Sequence, residues 1–172
     1  MTLCSIYRLP FLAFVMLSLL LACPMVTAEE GRSIFLIRHA EKQLDGIRDP
    51  SLTKKGVLRA ENISKQLKNR NIKTIYSTNY KRTRQTAIPL SKLLEIGLAL
   101  YDPSQLEAFA KQVLSGEGNV LIVGHSNTTP QLVELLGGNS QGPMAETVYN
   151  RIYQLVVKGS KVETFLLSSS IN

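Results

Sequence analysis

The chain has 172 residues, 44% of them hydrophobic and 19% charged, with a formal net charge of +7. That length allows one domain with a substantial core, and the composition is that of a globular protein, neither disordered nor fibrous. The basic balance suits phosphorylated metabolites, nucleic acid or an anionic membrane, but the sequence has no aromatic RNP pattern and no zinc-finger spacing, so no nucleic-acid partner is expected.

The first 28 residues are of a different kind. Arg8 is their only charged side chain before Glu29, and Leu9 to Ala22, "LPFLAFVMLSLLLA", is a nearly unbroken apolar run of 14. A membrane-spanning helix needs about 20 such residues, whereas this length fits the core of a secretory signal. Val26-Thr27-Ala28 then forms a small-residue cleavage site, so residues 1–28 are read as a signal peptide and 29–172 as the domain. A second reading takes "LLAC", Leu20 to Cys23, as a lipoprotein site with Cys23 lipidated, and a third keeps the segment as an uncleaved anchor. Every version implies a secreted or periplasmic domain, and cleavage leaves no membrane span. Both cysteines, Cys4 and Cys23, lie in this leader. The domain therefore has no disulfide and no thiol nucleophile. With two histidines and no cysteine it also has no zinc site of the usual ligand types, and neither metal nor cofactor is expected.

Strand and helix signals then alternate. Ser33 to Ile37 is continuously apolar and reads as a fully buried strand. Leu52 to Lys68 reads as an amphipathic helix with Thr53 as N-cap and Val57, Ala60, Ile63, Ser64 and Leu67 on one face. Ile72 to Tyr76 is a short strand, and Tyr80 to Leu94 a helix that Pro89 kinks or breaks. Leu98 to Tyr101 is a strand candidate. A helix over Ser104 to Leu114 opens with Ser104 as N-cap and Glu107 completing a capping box. Val120 to Val123 is a second fully buried strand, followed by a helix over Thr129 to Leu136 that Gly137-Gly138 ends. Arg151 to Val157 and Val162 to Leu167 form a terminal hairpin across "KGSK". The pattern predicts an α/β protein, a three-layer α/β/α sandwich with a mostly parallel central sheet and an antiparallel C-terminal hairpin.

In such sheets ligands bind beyond the carboxyl ends of the strands, and polar chemistry stands at three of them. "FLI" runs into Arg38-His39, "IYST" into "NYKRTRQTA" with Arg82 and Arg84, and "VLIVG" into His125-Ser126-Asn127. Taken singly, each has an ordinary structural role: a hydrogen-bonded histidine, a solvated arginine, or Asn127 as a helix cap. Taken together, they carry both histidines of the domain and an arginine to one sheet edge. These groups suit phosphoryl transfer. The arginine fork binds phosphate oxygens in pairs, neutral imidazole is a nucleophile near neutral pH, and positioned cations stabilise a loose phosphoryl transition state.

Three motifs, in order, resemble the histidine phosphatase superfamily, the phosphoglycerate mutase-like group. "LIRHAEK" is similar to its RHG signature, with Ala40 in place of glycine. "STNYKRTRQTA" is similar to its second-arginine segment and aligns that arginine with Arg82, and "VLIVGHSNT" is similar to its second-histidine motif. The resemblance runs from about residue 33 to 167. It implies that His39 is the nucleophile forming a phosphohistidine, that Arg38, Arg82 and His125 clamp the phosphoryl oxygens, and that no metal is required. Asn127 joins them as a substrate-binding candidate. Many members add a carboxylic acid as proton donor; Asp102 is the positional counterpart, with Glu41 and Glu146 as further candidates and a turn-forming role before Pro103 as the competing reading of Asp102.

The activity so implied is an exported phosphomonoesterase. A mutase would share the His39 intermediate, but little sequence separates Arg82 from His125 to build a lid. The acid-phosphatase and phytase branch shows RHGxRxP, unlike "RHAEKQL" here. A phosphate or anionic-glycan binding module with little turnover is the alternative from another class. The expected partner is a small phosphorylated substrate or an envelope phosphate group.

Overall fold

The structure, a computed structural model, describes residues 31–170. The leader, with its cleavage and lipidation sites, lies outside the described residues. The elements are β1 (Arg32–Arg38), α1 (Lys54–Leu67), β2 (Ile72–Ser77), α2 (Lys81–Leu94), β3 (Leu98–Leu100), α3 (Leu106–Ser115), β4 (Asn119–Gly124), α4 (Thr128–Leu135), β5 (Arg151–Lys158) and β6 (Lys161–Ser168). They form one sheet in the order β3-β2-β4-β1-β5-β6. The first four strands are parallel, and β5 and β6 add an antiparallel edge. This is the three-layer fold and hairpin that the sequence predicts. Among the described residues no helix is long and apolar enough to cross a membrane.

The continuous apolar runs are explained by where their strands lie. β1 and β4 are neighbours at the centre, covered on both faces, so every residue from Ile34 to Ile37 is at most 1% exposed. Strand alternation then divides them. Ile34 and Leu36 join Ile122, Phe109, Val113, Leu132 and Val133 under α3 and α4. Phe35 and Ile37 join Leu121, Val123, Ile63, Leu67 and Leu90 under α1 and α2. Each such side chain contributes about 1.5–3 kcal/mol of burial, and the two cores clamp the strands whose ends carry the polar groups.

Local expectations need three corrections. Thr53 caps α1 as expected, its Oγ1 accepting from the Gly56 N–H at 3.0 Å, but the buried face is turned by one position. It holds Gly56, Arg59, Ala60, Ile63, Ser64 and Leu67, and Val57 is exposed. The cause is Arg59, which is buried to pair with Glu41 and the Ser169 carbonyl, a polar face that an apolarity pattern assigns to solvent. Second, α2 continues through Pro89, so the proline does not break it in two; the packing of Ala87 and Leu90 holds it across the missing N–H. Third, Ser104 does not cap α3, whose N-cap is Gln105 without a side-chain bond. Asp102 takes the Ser104 N–H at 2.9 Å and hydroxyl at 2.8 Å, so a local turn outcompetes the capping box.

Candidate active site

Register brings the motifs together. In the parallel β1/β4 pair Arg38 lies opposite Gly124, and the His39 N–H donates to the Gly124 carbonyl at 2.9 Å. Arg38-His39 and His125-Ser126 therefore leave adjacent strands side by side, with the two imidazole rings 5.6 Å apart, edge to face. On the other side of β4, β2 ends at Ser77, and Thr78 leads into α2, whose second residue is Arg82. Gly124 has to be small: a Cβ there would come within 2.8 Å of the Tyr101 hydroxyl and 2.9 Å of Thr129 Oγ1.

The hydrogen bonds of His39 determine its protonation pattern. Its Nδ1 lies 2.8 Å from the Ala40 carbonyl. A carbonyl only accepts, so Nδ1 carries the proton and Nε2 keeps its lone pair. The Ala40 N–H donates to Thr86 Oγ1 at 3.0 Å, and Thr86 Oγ1 donates to the Arg82 carbonyl at 2.7 Å. Ala40 in the glycine position is thus fully buried and held on both sides of its backbone. Burial above all, with the charges of Arg38 and Arg82 and the neighbouring His125 adding to it, pushes the His39 pKa down to about 3, against the upward pull of the Ala40 bond. The imidazole is neutral at neutral pH.

His125 has the complementary arrangement. Arg82 Nη2, which can only donate, lies 3.4 Å from its Nδ1, and Nε2 lies 2.9 Å from Thr78 Oγ1. Nε2–H donates to Thr78, whose hydroxyl donates onward to Thr83 Oγ1 at 3.0 Å. Burial, Arg82 and Arg38 hold the pKa down at about 4, with Glu146 opposing.

Two arginines complete the site. Arg38 is 2% exposed and its Nη1 donates to the carbonyls of Glu146 (2.6 Å), Val148 (3.2 Å) and Ala145 (3.3 Å). Its Nη2 meets Glu146 Oε2 at 2.7 Å, and its guanidinium lies 4.2 Å from the centre of the Tyr149 ring. Arg82 packs over Tyr80 at 4.5 Å and approaches Asp49 at 3.5 Å. The Nε atoms of both arginines are buried without a hydrogen-bond partner. A buried unsatisfied donor costs about 1–3 kcal/mol, more when charged.

The adjoining cleft, about 510 Å³, is lined by His39, Lys42, Arg82, His125, Ser126, Asn127 and Glu146 among others. Arg38, His39, Arg82 and His125 come together as the sequence predicts, and Asn127 is exposed on the cleft wall, with no side-chain bond capping α4. The three carboxylate candidates separate. Asp102 does not line the cleft; it is exposed and binds Ser104 in its own turn, which lowers its pKa. Glu41 points away and takes two hydrogen bonds from Arg59, at 2.9 and 2.7 Å. Glu146 alone of the three reaches the cleft, its carboxylate accepting from Ser126 Oγ and Arg38. Bonding to Ser126 and the nearby Arg38 charge keep it ionised, below the ordinary glutamate range. Sequence reasoning missed Thr78, Thr86, Lys42 and Tyr149. Thr78 and Thr86 lie inside a quoted motif and could have been weighed as hydroxyl partners; nothing local marks Tyr149. Among the described residues no group of three or more histidines, cysteines or carboxylates is placed to hold a metal ion.

Residues 34–102, which include Arg38, His39 and Arg82, match the family model of the histidine phosphatase superfamily, branch 1. Solved structures of similar fold include the protein histidine phosphatase SixA complexed with tungstate (20% identity, TM-score 0.64, covering 80% of this chain and 97% of that one). An Escherichia coli K-12 protein assigned as an alpha-ribazole-5'-P phosphatase aligns at 14% identity and TM-score 0.66, over 80% of this chain and 97% of its own. A mycobacterial glucosyl-3-phosphoglycerate phosphatase aligns at 15% identity and TM-score 0.59, over 80% and 98%. At these identities the likeness is one of fold. No curated protein matches in sequence.

Proposed function

We propose that this protein is an exported phosphatase that hydrolyses phosphomonoesters through a phosphohistidine on His39, without a metal ion. The observation that carries the reading is the lone pair left on His39 Nε2 in a cleft that Arg82, Lys42 and His125 also line. Phosphoryl oxygens meet the Arg82 guanidinium and the Lys42 ammonium at this cleft. Nε2 attacks phosphorus, the P–O bond to the ester oxygen breaks, and that oxygen leaves as an anion that takes its proton from solvent water. Water then attacks the phosphohistidine, the P–N bond breaks, and phosphate and neutral His39 are restored. The positive groups stabilise the charge on the transferring phosphoryl in both steps. The tungstate complex of SixA, an oxyanion in a related fold, supports a phosphate-like ligand here. Export rests on the leader sequence, and a small phosphomonoester or an envelope phosphate group fits the cleft.

The test is hydrolysis of p-nitrophenyl phosphate by the purified protein in EDTA, beside His39→Ala. Turnover by the wild type and none by the variant supports the reading. Equal rates in the two would sink it. One observation favours a second reading, a phosphate-binding module of low turnover: the Glu146 carboxylate already engages Arg38. Phosphate binding without hydrolysis in the same assay selects it.

A further inference from the structure

Next to the cleft lies a second cavity of about 470 Å³, between α4 and the segment from Ser140 to Glu146. It is not a separate hole. Ser126, Asn127 and Glu146 line both cavities, so the two surfaces are continuous across those three residues. Its volume is within the ~300–1,000 Å³ range of small-molecule sites.

The two cavities differ in chemistry. The cleft carries Lys42, Arg82 and both histidines. The second cavity has apolar walls from Pro130, Pro143 and Met144, and no lysine or arginine lines it. Its ionisable groups are Glu134 and Glu146, both with pKa values held below the ordinary range by their hydrogen bonds, to Ser140 and Ser126. The rim is also pre-formed. The Ser140 N–H donates to Glu134 Oε1 at 2.8 Å, the Tyr153 hydroxyl donates to the Ser140 carbonyl at 2.9 Å, and the Gly142 N–H donates to Ser140 Oγ at 3.2 Å. Ser140 is thereby tied to α4 and β5, and little ordering cost remains for a ligand to meet.

We propose that this trough is the leaving-group subsite, and that it takes uncharged or cationic, largely apolar groups and rejects anionic ones. The proposal rests on the phosphatase reading above. With phosphate among the histidines and arginines, a substituent on the ester oxygen passes Ser126 and Glu146 into the trough. Its apolar surface is buried against Pro130, Pro143 and Met144, and a positive charge meets two carboxylates. A carboxylate on the same substituent meets the Glu134 carboxylate with no lysine or arginine on the trough wall to offset it, the nearest cation, Arg38, being already paired with Glu146.

The experiment measures inhibition of p-nitrophenyl phosphate hydrolysis by phosphocholine and by 3-phosphoglycerate, alkyl esters of comparable size and opposite substituent charge. Wild type is expected to bind phosphocholine at least tenfold more tightly. Gln131→Lys places a cation on the exposed trough wall of α4, a substitution that a helix surface accommodates. It should cut that ratio at least fivefold while leaving the inhibition constant of inorganic phosphate within twofold. A wild-type ratio near one, or a ratio that Gln131→Lys does not move, overturns the trough and leaves the phosphatase intact. Failure of the wild type to hydrolyse p-nitrophenyl phosphate overturns the phosphatase reading, and the subsite with it.

Discussion

Arg38 Nη2 and Glu146 Oε2 are 2.7 Å apart, and the arginine side chain is 1% exposed while the glutamate side chain is 74% exposed. The buried partner is fixed by three carbonyls; the exposed one is free to leave. A carboxylate offers the guanidinium fork the same paired oxygens as a phosphoryl group, so Glu146 is an internal competitor for the site. Glu146→Gln is expected to lower the inhibition constant of phosphate or tungstate by about three- to tenfold. The thermal midpoint should hardly move, because the buried Arg38 keeps its three carbonyl acceptors and the amide oxygen of the variant can still accept from Nη2. Weaker oxyanion binding in the variant would mean that Glu146 assists the ligand.

Acid should destabilise the protein through its histidines. Folded-state pKa values of about 3 for His39 and about 4 for His125 lie below the ordinary 6.5. Between pH 6.5 and those values the unfolded chain binds more protons, so the stability is complete above 6.5 and is lost as the pH falls. Melting curves from pH 7.5 to 4.5 should show a falling midpoint, with a shallower slope in His39→Gln. Added phosphate should also flatten it, by offsetting the arginine charges. An identical slope in His39→Gln would place the proton uptake elsewhere.

Thr78 is a positioning residue, acting through His125. Thr78→Val leaves His125 Nε2–H without its acceptor, at a cost of about 1–3 kcal/mol, and lets the ring turn. kcat/KM should fall about tenfold or more, and Thr78→Ser should recover most of it. Equal losses in the two variants would indicate a packing effect of the methyl group instead.

The carboxylates that stay out of the cleft have other roles. Asp102→Asn should keep kcat/KM within about twofold, since the side chain serves the Ser104 turn. Glu41→Gln weakens its pair with the buried Arg59 and should lower the thermal midpoint, the unfolding free energy falling by about 3–5 kcal/mol if Arg59 is left fully uncompensated. A large activity loss in Asp102→Asn with an unchanged fold would return it to the proton-donor role.

Gly56 gives opposite expectations from two levels. Alanine within a helix is worth about 1 kcal/mol over glycine. Yet a Cβ at Gly56 would collide with the Glu41 carbonyl, a backbone atom that cannot swing aside. Overpacking costs about 1–3 kcal/mol, so Gly56→Ala should destabilise on balance in denaturant titration. A stabilised variant would show that the Glu41 turn yields.

Much of this was legible in local order. Ile34 to Ile37 and Val120 to Val123 read as buried strands because a central strand covered on both faces has no polar side to show. The ends of those runs, with Thr53 and Gly137 as helix punctuation, marked where the chain turns toward the site. The Arg59 face of α1 was not legible. Its partners are Glu41 and Ser169, the latter 110 residues away, and helical periodicity reports only whether a position is apolar.

The sequence by itself determined the alternation of strands and helices and which four polar residues stand at strand ends. Both follow from short-range rules of burial and backbone geometry. Only the tertiary structure decided which carboxylate meets them. Register places Arg38 opposite Gly124, and the loop before β5 returns Glu146 and Tyr149 to Arg38. Position in the motif order put Asp102 first, with Glu41 and Glu146 as further candidates. The contacts that chose Glu146 are set by the order β4-β1-β5, a long-range pairing that no local pattern encodes.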